Sequence, residues 1–152
     1  MSLSRVTHTN ARVASFIRKL PVGFDFIVTT MGNSMMPTIR RGDTVLLKRA
    51  RIEMARVGSV VAFMQPRTSF LVAHRVVKRK TVDGSVRLQT KGDANSDCDP
   101  WAVDENNFLG KAVWVKRGGL RLKLASYQQS RLQVLADKLV DVFGTLIGRF
   151  VV

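Results

Sequence analysis

The sequence predicts a mainly β protein: a small coiled antiparallel β domain with a short N-terminal helix and a C-terminal amphipathic helix. Short apolar runs separated by Gly, Pro and Asp fill the middle of the chain, whereas apolar residues near both ends recur at helical spacing. The chain has 152 residues, 45% apolar and 24% charged, a composition typical of one globular domain with a helical appendage. We therefore expect a helical segment at 1–23, a β domain at 24–125 and the amphipathic helix at 126–152.

The N-terminal helix is predicted over residues 9–20. Thr9 or Asn10 can cap its start, and Pro21 with Gly23 ends it. Its large apolar residues lie on one face of the helix: Val13, Phe16, Ile17 and Leu20.

The β domain is predicted from apolar runs of strand length. The runs are Phe24–Thr29, Thr44–Lys48, Ser59–Met64, Phe70–Lys78, Val86–Thr90, Leu109–Lys116 and Arg121–Leu124. Asp83-Gly84, between two of these runs, is a strong signal for a tight β-hairpin. Because few helical stretches interrupt the runs, they predict a coiled or barrel-like antiparallel sheet.

From Tyr127 onward, apolar residues recur at helical spacing and leave a narrow polar stripe. The apolar positions are Leu132, Leu135, Leu139, Val142 or Phe143, Leu146 and Phe150. Such a wide apolar arc suits a helix packed on the domain or on a copy of itself, or a helix lying in a membrane interface. Asp137 and Asp141 in the stripe weigh against the membrane, because polar faces of interfacial helices usually carry Lys and Arg.

Charge limits the classes of partner. Lys and Arg total 25 against 11 Asp and Glu, so the formal net charge is +14, which favours an anionic surface or an acidic partner. The basic runs contain almost no aromatic residues for stacking on bases. We therefore expect an anionic membrane surface, reached through basic patches and the C-terminal helix, rather than nucleic acid.

Cysteine, histidine and terminal patterns exclude several other classes. A single cysteine, Cys98, and two histidines exclude a disulfide framework and a multi-cysteine zinc site, and no cofactor or metal is expected. Arg5, Arg12, Arg18 and Lys19 interrupt the N-terminal stretch, which therefore resembles neither a secretory signal nor a membrane anchor. The protein is expected to be cytoplasmic or peripherally attached to a membrane.

A serine and a histidine form the first candidate pair for chemistry. Ser34 lies in a turn with Gly32 and Pro37, which can hold a hydroxyl fixed and exposed. A hydroxyl is a poor nucleophile without a base. His74 lies in the strand-like run 72–77 and can supply that base near neutral pH.

An acidic, turn-rich stretch at residues 90–101 can supply the third group. It carries Asp93, Asp97 and Asp99 and follows the hairpin that starts with the His74 strand. That hairpin can carry the stretch back toward His74. A carboxylate bonded to an imidazole N–H fixes the tautomer and stabilises the imidazolium.

In this order, the residues resemble the conserved boxes of the type I signal peptidase family. The matching segments are Ser34-Met35-Met36-Pro37-Thr38 with Gly42-Asp43, then Val57–Phe63, Thr90–Asn95 with Asp99, and Gly110–Val113. His74 precedes Arg-Val-Val where the bacterial Ser–Lys branch of the family has lysine. The chain thus resembles the Ser–His branch found in the endoplasmic reticulum, in archaea and in some Gram-positive bacteria, over about residues 26–117.

This resemblance implies a serine endopeptidase that cleaves leader or signal segments of precursor proteins after small residues. Ser34 would be the nucleophile and His74 the general base, oriented by Asp99 with support from Asp93. Met35 and Met36 would help to line a shallow apolar substrate pocket. Many family members carry a hydroxyl where this chain has Gly32, so backbone N–H groups, including that of Ser34, would stabilise the oxyanion.

Two other functions stay open. The Gly-x-Ser-Met pattern around Ser34 and the basic charge also suit a LexA-like domain that cleaves itself or a partner. Against it, no helix-turn-helix region precedes the β domain, and His74 replaces the lysine usual in that clan. A catalytically inactive peptide-binding module is the third hypothesis, and the joint presence of Ser34, His74 and Asp99 weighs against it.

Overall fold

The computed structural model describes residues 3–124, with side chains from residue 11 onward. One helix, α1 (Leu3–Lys19), precedes the strands, and a short 3-10 turn spans Ile52–Met54. The strands are β1 (Asp25–Thr29), β2 (Thr44–Arg49), β3 (Val60–Met64), β4 (Leu71–Val82), β5 (Ser85–Lys91), β6 (Ala102–Val103), β7 (Phe108–Arg117) and β8 (Leu120–Lys123). The C-terminal helix predicted at 126–152 lies outside the described residues.

The strands form one curled antiparallel sheet, which confirms the predicted fold class. Their order is β1-β2-β7-β3-β4-β5-β6, with β8 paired to the end of β7. The long strand β7 thus lies between β2 and β3, and β1 and β6 are the first and last strands in the sheet order. The sequence did not predict β6 or the 3-10 turn, because both are too short to show a periodic pattern.

Strand β3 is buried on both faces and separates two apolar clusters. Val60, Ala62 and Met64 enter the first cluster, and Val61 and Phe63 enter the second. This double burial explains why the sequence run is continuously apolar rather than alternating. The strand pairs with β4 on one side and β7 on the other, so it anchors the middle of the sheet.

Helix α1 begins earlier than predicted and packs through a narrower face. Ala14 and Ile17 enter the first apolar cluster, each 3% exposed, whereas Val13 and Phe16 stay 42% and 65% exposed. Ala14 and Ile17 share a face because they are three residues apart, and the small Ala14 side chain permits close approach. Among the described elements, no helix has the length and apolar character needed to span a bilayer.

The predicted Asp83-Gly84 hairpin is present and positions the site. Asp83 and Gly84 have φ values of 49° and 74°, as a two-residue hairpin of the primed type requires. The resulting register places Thr90 of β5 opposite Val76 of β4. The acidic stretch that leaves β5 therefore begins beside the strand that carries His74.

Candidate active site

Ser34 lies in the serine loop, residues 31–43, between β1 and β2. The Met36 N–H donates to the Asn33 carbonyl and the Ile39 N–H to the Met35 carbonyl, which folds the loop into successive turns. Met35 and Ile39 are 4% and 2% exposed and belong to the first apolar cluster. The core thus anchors the loop directly after Ser34, whose side chain stays half-buried at the surface.

His74 occupies the middle of β4, opposite Val61 of β3. It is a buried polar side chain. The ring of Phe63 meets the imidazole edge-on, with centroids 6.1 Å apart and planes at 72°. This packing restricts the plane of the imidazole, so its two nitrogens point at defined partners.

A continuous hydrogen-bond chain joins Asp99, His74 and Ser34. Asp99 Oδ2 lies 2.8 Å from His74 Nδ1, and His74 Nε2 lies 2.9 Å from Ser34 Oγ. Because an ionised carboxylate can only accept, Nδ1 carries the hydrogen and Nε2 accepts the hydrogen of the Ser34 hydroxyl. The basic nitrogen of the imidazole therefore faces the hydroxyl.

Asp99 is held from β5, chiefly by Thr90. The Thr90 hydroxyl donates to Asp99 Oδ2 at 2.6 Å, and the Asp99 N–H donates to the Thr90 carbonyl at 2.8 Å. The Gln89 side-chain amide also donates to the Asp99 carbonyl. Thr90 is fully buried, so both the backbone and the carboxylate of Asp99 are held in fixed positions.

Asp93, the other predicted carboxylate of the site, has partners other than His74. It forms a bidentate ion pair with Arg75, with Nε–Oδ1 at 2.8 Å and Nη2–Oδ2 at 2.6 Å. Its Oδ2 also accepts the Thr38 hydroxyl at 2.5 Å. Successive strand residues point to opposite faces, so Arg75 reaches Asp93 while His74 reaches Asp99. Asp93 thus links β4 to the serine loop.

The acid loop, residues 92–101, rests directly on the backbone of Ser34. The Ala94 N–H donates to the Ser34 carbonyl at 2.9 Å. A Cβ at Gly92 would lie 2.5 Å from that carbonyl oxygen and 2.8 Å from the Asn95 side-chain nitrogen. Only glycine permits this approach, so the two loops fit together through Gly92.

A buried ion pair holds the far end of the serine loop. Asp43 accepts from Arg117 Nη2 at 2.6 Å and from the Arg40 N–H at 2.7 Å, while Arg117 Nη2 also donates to the Thr38 carbonyl at 3.3 Å. Burial raises the pKa of Asp43, but the hydrogen bonds and charges of Arg117 and Arg40 outweigh it. The pKa of Asp43 therefore lies below its ordinary value of 3.8.

The backbone at Ser34 offers a donor for an oxyanion. Among the described residues, none accepts a hydrogen bond from the Ser34 N–H. Gly32 is exposed and a Cβ there would have open space around it. The use of the Ser34 N–H for oxyanion stabilisation, expected from the Gly32 replacement, stays a prediction.

Two clefts of different chemistry meet at Ser34. The apolar cleft, about 470 Å³, lies between β1 and the start of β4, and its lining includes Val28, Met35, Ile39, Leu47, Leu71 and Ala73. The polar cleft, about 710 Å³, lies between β4 and the acid loop. Its lining mixes polar side chains (Gln65, His74, Asn95, Ser96, Asp97 and Asp99) with apolar ones (Val72, Ala94, Pro100 and Trp101). Met35 lines the apolar cleft, whereas Met36 is not a lining residue of either cleft, and the role of both residues in substrate binding stays a prediction.

Two further side chains of the acid loop lie at the rim of the polar cleft. Asp97 and Cys98 are both exposed, and Cys98 is a free thiol. The Asp97 carboxylate accepts the Ser96 hydroxyl at 2.8 Å. Within the part of the chain whose side chains are described, no cluster of three or more His, Cys, Asp or Glu residues can hold a metal ion.

Sequence reasoning assigned no role to Thr38, Arg75 or Thr90, which support the site. Thr90 directly precedes the Lys91-Gly92-Asp93 motif, and that position is the only sequence signal for it. Arg75 follows His74 in β4, and side chains of successive strand residues point to opposite faces of the sheet. From the sequence alone, the Arg75 side chain is therefore expected to point away from the site. The contacts of Thr38 depend on tertiary packing and have no signal in the sequence.

Comparisons with known proteins agree with this geometry. The Peptidase S24-like family model matches residues 10–113. The human signal peptidase complex catalytic subunit SEC11C is 36% identical over 93 residues, which cover 60% of this chain and 48% of that protein. The SEC11 subunit of Colletotrichum graminicola is 32% identical over 90 residues, covering 57% of this chain and 52% of that protein. The chain spans about half the length of these curated relatives.

The curled sheet and the Ser–His–Asp chain define the class of the protein as peptidase-like, with the signal peptidases as relatives. The chain belongs to the Peptidase S24-like family, since the family model covers more than half of it. The resemblance to type I signal peptidases found in the sequence boxes is thereby confirmed.

Proposed function

We propose that the protein is a serine endopeptidase of the signal peptidase type, which cleaves leader or signal segments after small residues. The main observation in support of this proposal is the continuous series of hydrogen bonds from Asp99 Oδ2 through both ring nitrogens of His74 to Ser34 Oγ. Nucleophile, base and orienting carboxylate all lie at ordinary hydrogen-bond distance. No further movement is needed for the first proton transfer.

In the proposed reaction, His74 Nε2 takes the proton of the Ser34 hydroxyl as Oγ attacks the scissile carbonyl. The oxyanion that forms accepts a hydrogen bond from the Ser34 N–H. The imidazolium, stabilised by Asp99, then gives its proton to the leaving amine, and an ester of Ser34 remains. Water deprotonated by His74 hydrolyses that ester and regenerates the hydroxyl.

The apolar cleft is the proposed binding site for the segment before the scissile bond. β1 is an edge strand, and residues 71–73 of β4 precede the point where β5 begins to pair. Within residues 3–124, both strands therefore offer unpaired backbone groups along the cleft, to which an extended peptide can add as a strand. Ala62 and Ala73, opposite each other in register, line the cleft with small side chains.

The proposal is tested by incubating purified protein with synthetic precursor peptides and reading the products by mass spectrometry. We expect cleavage after small residues by the wild type and by Cys98→Ser, and none by Ser34→Ala with an unchanged melting temperature. Cleavage by Ser34→Ala would remove Ser34 as the nucleophile. Fragments of the protein itself, formed without added peptide, would favour the self-cleaving regulatory alternative.

We also propose an anionic membrane surface as a partner, docked through the outer face of the sheet. The register aligns Ile27, Leu46, Trp114 and Lys123 in one row across β1, β2, β7 and β8. Ile27 is 62% exposed, and Arg121 lies over the Trp114 ring at 4.8 Å. A row that is apolar from Ile27 to Trp114 and ends at the cations Lys123 and Arg121 suits the boundary between acyl chains and anionic headgroups.

A further inference from the structure

We propose that the polar cleft binds the residues that follow the scissile bond, and that Asp97 selects a cationic side chain there. The inference rests on the proposed peptidase function and extends it to the part of the substrate that leaves first. Three observations support the inference: the position of His74, the residues that line the cleft, and the hydrogen-bond and ion-pair partners of the three acid-loop aspartates.

His74 determines which cleft receives the leaving segment. The group that protonates the leaving amine must lie on the side to which that amine departs. His74 lines the polar cleft, whereas the preceding residue, Ala73, lines the apolar cleft from the opposite face of β4. The segment before the bond therefore occupies the apolar cleft, and the segment after it extends along the acid loop.

The lining of the polar cleft combines polar groups with the apolar side chains of Val72 and Trp101, which suits a long side chain with a polar end. Its walls include the side chains of Gln65, Asn95 and Ser96, with Asp97 at the rim. These groups offer both donors and acceptors, in contrast to the aliphatic side chains of the other cleft. A substrate with a small apolar residue before the bond and a Lys or Arg side chain after it, aliphatic along its stem and charged at its end, matches the two linings.

Asp97 is the acid-loop carboxylate that is available to a substrate. Asp99 is buried against His74 and Thr90, and Asp93 forms a two-point ion pair with Arg75. The Asp97 side chain is exposed, and its contact within the described residues is the neighbouring Ser96 hydroxyl. An arginine or lysine in the first residues after the bond can therefore pair with Asp97.

The test measures binding, so that it does not depend on turnover. Peptides with acetyl and amide ends, alanine before the intended bond and Lys, Ala or Glu after it are titrated into Ser34→Ala protein by fluorescence anisotropy. We expect the Lys peptide to bind about three- to fivefold more tightly than the Glu peptide, the size of an exposed ion pair. Added salt should reduce this ratio.

Asp97→Asn in the Ser34→Ala background should abolish the ratio, whereas Asp83→Asn should preserve it. Asp83 is a matched control because it is an exposed carboxylate at the β4–β5 turn, where its positive φ also accepts asparagine. Equal affinity for the Lys and Glu peptides, a ratio that survives Asp97→Asn, or no binding of the Lys peptide would overturn the inference. Failure of the wild type to cleave any peptide would instead overturn the proposed peptidase function.

Discussion

At the scale of single residues, Asp99 is the carboxylate that we propose to orient the imidazole. It contacts His74 directly, and Thr90 fixes it from β5. Asp97, two residues away, has no contact with His74 among the described residues. Three aspartates within one loop thus have three different environments, and their substitutions should differ accordingly.

Asp99→Asn should lower kcat by about 10²–10⁴, because an amide cannot hold the imidazole in the tautomer that accepts from Ser34. Asp97→Asn should leave kcat within about twofold on a peptide with a neutral residue after the bond. Steady-state kinetics on that one peptide provide the comparison. A larger loss of kcat from Asp97→Asn than from Asp99→Asn would identify Asp97, rather than Asp99, as the carboxylate that acts with Ser34 and His74.

Asp43 provides a prediction for stability rather than catalysis. Asp43→Asn should lower the free energy of unfolding at neutral pH by about 2–3 kcal/mol, the size of a buried hydrogen bond to a charged group. The pKa of Asp43 is lower in the folded protein than in the unfolded chain, so acid favours unfolding. The contribution is complete above pH 3.8 and is lost as the pH falls through the folded pKa.

Urea unfolding of wild type and Asp43→Asn across a range of acidic pH values measures this effect. The difference between the two proteins should shrink as the pH falls below about 4. Asp25, which pairs with Lys48 at 2.8 Å with both side chains nearly half exposed, is the control. Its substitution by asparagine should cost less than about 1 kcal/mol at any pH. A pH-independent difference for Asp43→Asn would refute the argument.

At the scale of elements, two ion pairs from different strands converge on Thr38 of the serine loop. Asp93, paired with Arg75 of β4, accepts the Thr38 hydroxyl, and Arg117 of β7 donates to the Thr38 carbonyl. The loop that carries Ser34, the proposed nucleophile, is therefore held by the strand that carries His74, the proposed base. We expect Thr38 to act as a positioning residue.

Thr38→Val should lower kcat about tenfold or more with little change in KM, since small displacements of reacting groups have large effects on rate. Valine keeps the shape of threonine but removes the hydroxyl that Asp93 accepts. Thr38→Ser should restore most of kcat. The measurement is a kcat and KM series with melting temperatures. If Thr38→Val lowered stability alone, the hydroxyl would have a structural role only.

Gly92 joins the same two loops through the backbone. Gly92→Ala would place a Cβ 2.5 Å from the Ser34 carbonyl oxygen, so the acid loop must move away from the serine loop. We expect a loss of kcat of at least tenfold in a protein that remains folded by circular dichroism. Wild-type kcat in Gly92→Ala would mean that the loops tolerate separation, and that their contact does not position Ser34.

At the scale of the whole molecule, the chain has a formal net charge of +14, and the outer face of the sheet combines basic with apolar side chains. Lys116, Arg121 and Lys123 lie beside Trp114 on that face by register. The pair Lys80 and Arg87 lies instead on the separate β4–β5 hairpin. The pair Arg121 and Lys123 has the same charge as the pair Lys80 and Arg87 but lies beside Trp114, which makes the two pairs a matched comparison.

Arg121→Glu/Lys123→Glu should reduce binding to phosphatidylcholine–phosphatidylglycerol vesicles by at least about tenfold, because each nearby cation contributes about 1 kcal/mol. Lys80→Glu/Arg87→Glu should have a smaller effect. Vesicle flotation at increasing salt measures both. Equal losses from the two variants would indicate non-specific attraction, and binding to DNA with none to vesicles would replace lipid by nucleic acid as the partner.

Most of the fold follows from local sequence, because strand length and turn chemistry are short-range properties. The apolar runs predicted β1–β5, β7 and β8 to within a few residues, and Asp83-Gly84 determined one hairpin. The order of the boxes also singled out Ser34, His74 and Asp99. The family is recognised from the order and spacing of these residues along the chain. The residues could therefore be identified without knowledge of their contacts in space.

Only the tertiary structure decided which partners these residues have. It assigned Asp93 to Arg75 and Thr38 rather than to His74, and it separated Met35 from Met36 at the apolar cleft. In the tertiary structure, Ile17 of α1 is buried in the core, whereas the neighbouring Phe16 is exposed. Such choices depend on how loops and strands distant in sequence pack together, which local periodicity does not encode.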